Sequence, residues 1–284
     1  MDYNIQNNLR SLGPKEAKVA LSFREQGQHV VTTADILALL GNEQSAHGVI
    51  ENLVRKGWLT RLKRGRYMTL PPEYGPENLG ENNPLALASA IIEPSYIGWW
   101  AAASYHGLTT QKPKTISVAA LRQFPSRTIE GHEIRFVKIV PRKFFGFRHE
   151  TLYGRDVCIS SPAKTLMDCV DRPDLAGGAA ETARIVHAAS SSVDLQEMAD
   201  AALEMKSTAT LQRLGFLADL VGWEWPQEIE RQIREAIPHA RRTTLGRPEF
   251  REGDLGYVNR WGIFVHASTT DLLADVPKIK KPIS

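Results

Sequence analysis

The sequence predicts an α+β chain in two parts, an N-terminal unit of three helices and a β-hairpin followed by a larger mixed domain, and three observations carry that expectation. Apolar residues recur at helical spacing over roughly 14–56 and then at strand spacing over 58–70. The stretch "PPEYGPENLGENNP", residues 71–84, has no apolar period and reads as a linker punctuated by Pro, Gly and Asn. Beyond it, strand-like runs such as "TISVAA" and "HEIRFVKIV" occur among helical ones. The expected domains are therefore 1–70, a linker at 71–84, and 85–284, a length sufficient for two separate cores. Residues 1–70 are expected to fold alone.

Pro14 follows Gly13 and suits a first helical turn, because proline has no amide hydrogen to leave unpaired; Ala17, Ala20, Leu21 and Arg24 continue the helix to Gly27. A short second helix is expected over "ADILALL", with Thr33 as its cap, Asp35 where the helix dipole favours an anion, and Gly41 as the stop. The third spans roughly Gln44 to Lys56. Val49, Ile50, Leu53 and Val54 form its apolar stripe, and Gln44, Ser45, Gly48, Asn52 and Arg55 lie on the other side. After Gly57, residues 58–62 and 65–70 read as strands joined by a turn at "LKRG". This is the plan of a winged helix-turn-helix, in which the third helix enters the major groove and the hairpin, or wing, reaches the neighbouring backbone.

The net charge of +3 says little, but residues 1–70 carry ten Lys and Arg against six Asp and Glu. Six bases lie between Arg55 and Arg66 with no acid among them. Leu59, Leu62, Tyr67 and Met68 are expected to hold the hairpin to the helices, leaving Arg61, Lys63, Arg64 and Arg66 for phosphates, while Asn52 and Arg55 are able to read base edges. The coincidence of charge with turn and helix end favours double-stranded DNA over a merely solvated face or a protein-interaction module.

In the second part, "LALASAII" opens at Pro84 and "WWAAASYHG" reads as a helix ending at Gly107. "SPAKTLMDCV" opens a helix with Ser161 at its cap, helices dominate to about 237, and "LGYVNRWGIFVH" reads as a last pair of short strands. No internal repeat is visible. Ser104 and His106, two apart on one expected helix, would not face each other, and Lys164 and Asp168, one turn apart, read as an ordinary surface pair. The phosphate-loop, dinucleotide, zinc-protease and nucleophile-elbow patterns are missing, and "EIRFVKI" lacks the closely spaced acid and lysine that would hold magnesium in a nuclease. Cys158 and Cys169 read as small core residues. The sequence gives no reason to expect a catalytic residue, metal or cofactor. No run approaches the roughly 18 apolar residues of a membrane span, and the first thirty residues lack a signal peptide's apolar core. A cytoplasmic protein with no membrane partner is expected.

Four stretches in order, "AKVALSF…VVTTADILALL…VIENLVRKGWLTRLKRGRYM", "IGWWAAASYHGLTTQKPKTISVAA", "SSPAKTLMDCVDRPDLAGG" and "LQRLGFLADLVG", resemble the AbiEi antitoxin family of bacterial abortive-infection systems over roughly 10–222. The resemblance implies an antitoxin encoded beside a nucleotidyltransferase-like toxin. Such a protein would repress its own operon at inverted repeats near the promoter and oppose the toxin through its second domain without a stable complex. The positions matching the recognition helix are Gln44, Ser45, His47, Asn52, Arg55 and Lys56; those matching the wing are Arg61, Lys63, Arg64 and Arg66. Ser104, His106, Gly107, Lys164, Thr165, Asp168, Arg213, Leu214 and Gly215 sit at motif positions of the second domain, where structural roles are expected. The alternative carried beside it is a stand-alone winged-helix regulator whose second domain senses a ligand or partner. Residues 223–284 match nothing diagnostic.

Overall fold

A computed structural model of the chain describes residues 11–70, 83–238 and 242–277. It divides into two compact units: residues 1–94, 126–134 and 150–157 form the first, and 95–125, 135–149 and 158–284 the second. Most of the linker expected at 71–84 lies outside the described residues, and Pro84 already begins a helix. Later stretches of the sequence thus join the winged-helix elements in one unit.

The first unit opens with α1 (Pro14–Glu25), whose start is fixed by Pro14 and by the Glu16 carboxylate accepting from the Gly13 amide at 2.8 Å. A short strand that the sequence did not announce, β1 (Val30–Thr32), leads into α2 (Thr33–Leu40). The cap of α2 is Thr32, one residue before the threonine expected to serve. Its hydroxyl accepts from the Asp35 amide, and the Asp35 carboxylate accepts from the Thr32 amide at 2.7 Å, so two free amides are satisfied reciprocally. Asn42 caps α3 (Glu43–Arg55) through the Ser45 amide. The strands β2 (Leu59–Lys63) and β3 (Arg66–Thr69) form the hairpin, and β1 completes an antiparallel sheet of order β1-β3-β2. This is the winged-helix element order. Ala46, Val49, Ile50 and Leu53 of α3 pack with Val19, Phe23, Ile36, Leu59 and Tyr67 into one core. Each large side chain in it contributes about 1.5–3 kcal/mol by burial.

The hairpin is buried on both pleats. Thr60, Leu62 and Met68 are at most 6 % exposed, although none of them belongs to the core of α1–α3. Polar contacts identify what covers this second pleat. The Thr60 hydroxyl donates to Glu130 at 3.1 Å, in the turn between β6 (Arg127–Ile129) and β7 (His132–Lys138). Arg66 donates to the Ala90 carbonyl at 2.6 Å, at the end of α4 (Pro84–Ala90), and to Glu93 at 2.7 Å. Arg155, only 5 % exposed, donates to the Thr69 carbonyl and meets the His29 ring, each at 2.9 Å.

The second unit contributes β4 (Ser95–Ile97), α5 (Trp99–Tyr105) and β5 (Thr115–Ala120), and shares β8 (Phe147–Leu152) and β9 (Arg155–Ser160) with the first. The strand order of this sheet is β6-β7-β5-β4-β9-β8, with β4 antiparallel to β5 and parallel to β9. The helices α6 (Pro162–Asp171), α7 (Ala179–Ala189), α8 (Leu195–Glu204), α9 (Thr208–Val221) and α10 (Gln227–Glu235) follow. As expected, Ser161 caps α6 through the Lys164 amide at 3.2 Å. The expected last strand pair is present as β11 (Gly256–Val258) and β12 (Ile263–His266), joined by an unannounced parallel strand β10 (Thr243–Gly246); α11 (Thr269–Leu272) closes the described chain. Cys158 and Cys169 are buried and are not joined in a disulfide. No helix among the described residues is long and apolar enough to cross a membrane, and those residues form no cluster with metal-ligating capacity.

Candidate nucleic-acid interface

Because α3 spends Ala46, Val49, Ile50 and Leu53 on the core, the side chains it leaves exposed are Glu43, Gln44, His47, Glu51 and Arg55, with Gly48 among them. Glu43 and Glu51 place two acids among the exposed side chains of α3. His47 holds its Nδ1 3.0 Å from the Glu43 carbonyl oxygen, and the Ser45 hydroxyl accepts from Lys15 Nζ at 2.9 Å. Asn52 is half-buried and its Oδ1 accepts from Arg55 at 2.7 Å, so these two act as a linked pair.

The cations fall into two groups. Lys56 is tied to Glu16 at 2.6 Å and Arg66 to Ala90 and Glu93, so both hold the unit together. Burial alone would push the Glu16 carboxyl up, but the bond from Lys56, the Gly13 amide and the Lys56 charge outweigh it and hold it below its ordinary value. Arg61 is exposed, its guanidinium 5.7 Å from the Tyr67 ring, and Lys63 and Arg64 follow it around the wing. The structure brings Arg61, Lys63, Arg64 and His47 to one open cleft; Gln44, Ser45, Asn52, Arg55, Lys56 and Arg66 are not among its lining residues.

Of the motif positions of the second unit, Lys164, Thr165, Asp168, Leu214 and Gly215 are buried, Ser104, His106 and Arg213 are half-buried, and Gly107 is exposed. His106 caps α5, its Nε2 2.7 Å from the Ser160 carbonyl oxygen, and Gly107 takes the left-handed φ of 71° that turns the chain away from the helix. Ser104 lies within α5, half-buried. The Thr165 hydroxyl lies 2.6 Å from that of Ser160. Thr109 donates to Glu181 at 2.5 Å and Trp100 to the same carboxylate at 3.2 Å, which ties the HGLT stretch to α7.

Lys164 and Asp168 correct the expectation of a surface pair: they are 0 % and 3 % exposed and bonded to each other. Every residue of α6 from Ala163 to Val170 is buried, so even its i,i+4 ion pair is enclosed. The Tyr96 hydroxyl donates to Asp168 at 3.1 Å, and the Lys164 ammonium lies 4.9 Å from the Phe145 ring. Burial raises the Asp168 carboxyl despite Lys164 and Tyr96, and burial together with the Asp168 charge raises the Tyr96 hydroxyl well above its ordinary value.

Leu214 is fully buried, and Gly215 sits against the Trp261 ring so closely that a Cβ there would overlap it. Arg213 donates to the Asp171 carbonyl at 2.6 Å and the Thr244 carbonyl at 3.0 Å. The Asp171 carboxylate accepts from Lys143 at 2.6 Å, Thr210 at 2.7 Å and Ser207 at 3.2 Å. Burial pushes this carboxyl up, but those bonds and the Lys143 charge hold it below its ordinary 3.8. The unfolded chain therefore binds this proton more readily than the folded one. The contribution is full well above 3.8, begins to fall as pH approaches that value, and is lost as pH falls through the lower folded value. Asp171→Asn is expected to lower stability at neutral pH and to flatten the decline of unfolding free energy between about pH 5 and pH 3, read from urea melts at each pH. An unchanged acid slope would exclude Asp171 as a source of the acid sensitivity.

Residues 19–69 match the family model described as "Transcriptional regulator, AbiEi antitoxin", and residues 96–220 match "AbiEi antitoxin C-terminal domain". The chain belongs to the AbiEi antitoxin family. No curated protein matches it in sequence. A similar solved structure is the RV2827C protein from Mycobacterium tuberculosis, 16 % identical, with a TM-score of 0.65 over 95 % of this chain and 97 % of that one. At that identity the likeness is one of fold. The two AbiEi matches meet the two groups of motif positions: the regulator match contains α3 and the wing, and the antitoxin match contains His106, Lys164, Asp168 and Gly215.

Proposed function

We propose that this AbiEi-family protein is a cytoplasmic antitoxin that represses its own operon by binding inverted repeats near its promoter, and that its second unit counters a nucleotidyltransferase-like toxin without a stable complex. The reading rests on the regulator match over 19–69 together with one structural observation: the wing cations Lys63 and Arg64 have no hydrogen-bond or ion-pair partner among the described residues, whereas Lys56 and Arg66 do. Unpaired cations beside an exposed helix face suit a phosphate backbone. The helix face offers Gln44 and Arg55 for base edges, and Asn52 orients Arg55.

The test is a titration of the intact protein with duplex from its own promoter and with mixed-sequence duplex of equal length. Lys63→Ala/Arg64→Ala is expected to weaken both duplexes alike and to lower the salt slope by about 0.9 per lost contact. Arg55→Ala is expected to lose about 1–3 kcal/mol on promoter DNA and less on the other. If the wild-type protein binds neither duplex at about 50 mM salt, the proposal fails. For the second unit, co-expression with the neighbouring toxin should restore growth when the wing is mutated, since the wing has no part in neutralisation.

A further inference from the structure

The cleft beside the wing has a second wall that the family's regulator module does not supply. It is open, measures about 920 Å³, and is lined by the wing on one side and by residues 126–129 on the other. Its charged lining side chains are Arg61, Lys63, Arg64 and Arg127, with His47 also present and no acid. Like Lys63 and Arg64, Arg127 has no hydrogen-bond or ion-pair partner among the described residues. Glu130, next in sequence to one of these walls, accepts from Thr60, and Glu93 accepts from Arg66. The bond from Thr60 to Glu130 ties the β6–β7 turn to the wing, which fixes Arg127 opposite Lys63 and Arg64.

We propose that this cleft seats a stretch of the phosphodiester backbone of bound duplex DNA, with Arg127 as a phosphate contact supplied from outside the winged helix; the inference rests on the DNA-binding reading above. Cations gathered in one cleft repel one another, and an anion between its walls relieves the repulsion. The crowding is visible at Lys63, whose amine is lowered from its ordinary value by burial first and then by Arg66 and Arg127, with Glu93 opposing. The space, about 920 Å³ and open to solvent, is far larger than one phosphate group, which suits a polyanion. Arg127 lies outside the match at 19–69, so a winged helix without this segment would lose one phosphate contact.

The experiment uses the intact chain and a fluorescent mixed-sequence duplex of about 30 base pairs, titrated between about 50 and 200 mM KCl. Arg127→Ala should reduce the salt slope by about 0.9, so that its loss of affinity is about 3- to 4-fold larger at the lowest salt than at the highest. Arg127→Lys should keep the wild-type slope. Ser126→Glu and Thr128→Glu, both at exposed rim positions, should weaken binding at low salt without disturbing the core. If Arg127→Ala melts at a lower temperature than wild type, the two rim variants decide the question. If Lys63→Ala/Arg64→Ala lowers the slope while Arg127→Ala and the rim variants leave it unchanged, the cleft is not a DNA site and the DNA-binding reading stands. If wild-type protein does not bind duplex at all, both readings fall together.

Discussion

Replacing Lys164 with methionine is expected to lower the unfolding free energy by about 3–5 kcal/mol and the melting temperature by roughly 6–20 °C. Methionine keeps most of the stem that fills the space near Phe145 and Met205 but removes the only cation bonded to Asp168 among the described residues. The carboxylate then remains enclosed with Tyr96 as its one remaining side-chain donor there. Burial already raises Asp168 above its ordinary 3.8, and losing Lys164 raises it further. A folded-state value above the unfolded one means that the protonated form favours the native state. The deficit of the variant should therefore shrink as pH falls through the raised value and grow again toward neutrality. Lys164→Met/Asp168→Asn, which removes both charges, should cost less than Lys164→Met alone. Urea melts of the three proteins at two pH values read all of this. A Lys164→Met variant with a wild-type melt would show that the pair carries no stability.

That pair also marks the limit of reading a sequence. A Lys and an Asp four apart are as common on an exposed helix face as in an enclosed one, and nothing local in "SPAKTLMDCV" tells how many neighbours will cover α6. The helices themselves were legible because their signals are local: Pro14 at a first turn, the apolar stripe of α3, and Ser161 before Pro162. The miss at Thr32 was local too, one of two adjacent threonines, and what decides it is distant. Thr32 ends β1, whose pairing partner for Val31 is Tyr67, thirty-six positions away. Short strands such as β1, β6 and β10 exist by virtue of such partners, so three or four residues of pattern could not announce them. The hairpin of β8 and β9 does carry a local signal, the Tyr153-Gly154 turn between two strand-like runs.

The interface divides along the same line. Charge and turn position were enough to single out Arg61, Lys63 and Arg64 as cations around the hairpin turn. They were not enough to separate these from Lys56 and Arg66, because the deciding acids, Glu16 and Glu93, lie forty and twenty-seven residues away. Arg127 reaches the wing only through the fold. "RTIEGHEI" carries the Glu130-Gly131 turn of a hairpin, but nothing in it places β6 beside Lys63.

A fragment of residues 1–70 is expected to lose cooperative folding, against the sequence's suggestion that the winged helix stands alone. The core of α1–α3 takes only one pleat of the hairpin, through Leu59 and Tyr67. On the other, Leu62, Met68 and Leu70 are 1 %, 2 % and 3 % exposed, and residues 90, 93, 130 and 155 hold that side by hydrogen bonds to Thr60, Arg66 and Thr69. Removing everything after 70 returns three large apolar side chains to water at about 1.5–3 kcal/mol each. That loss, about 5–9 kcal/mol, is comparable with the whole stability of an ordinary small domain. Circular dichroism should show a reduced helical signal and a broad urea transition for 1–70, whereas the intact chain melts sharply. The distinction matters for any DNA titration, because a fragment that fails to bind would then report an unfolded wing rather than a wing without affinity. A sharp transition for 1–70 at the urea concentration of the intact protein would show instead that the hairpin needs only the helices, and that the segments around Ala90, Glu130 and Arg155 rest on a unit already complete.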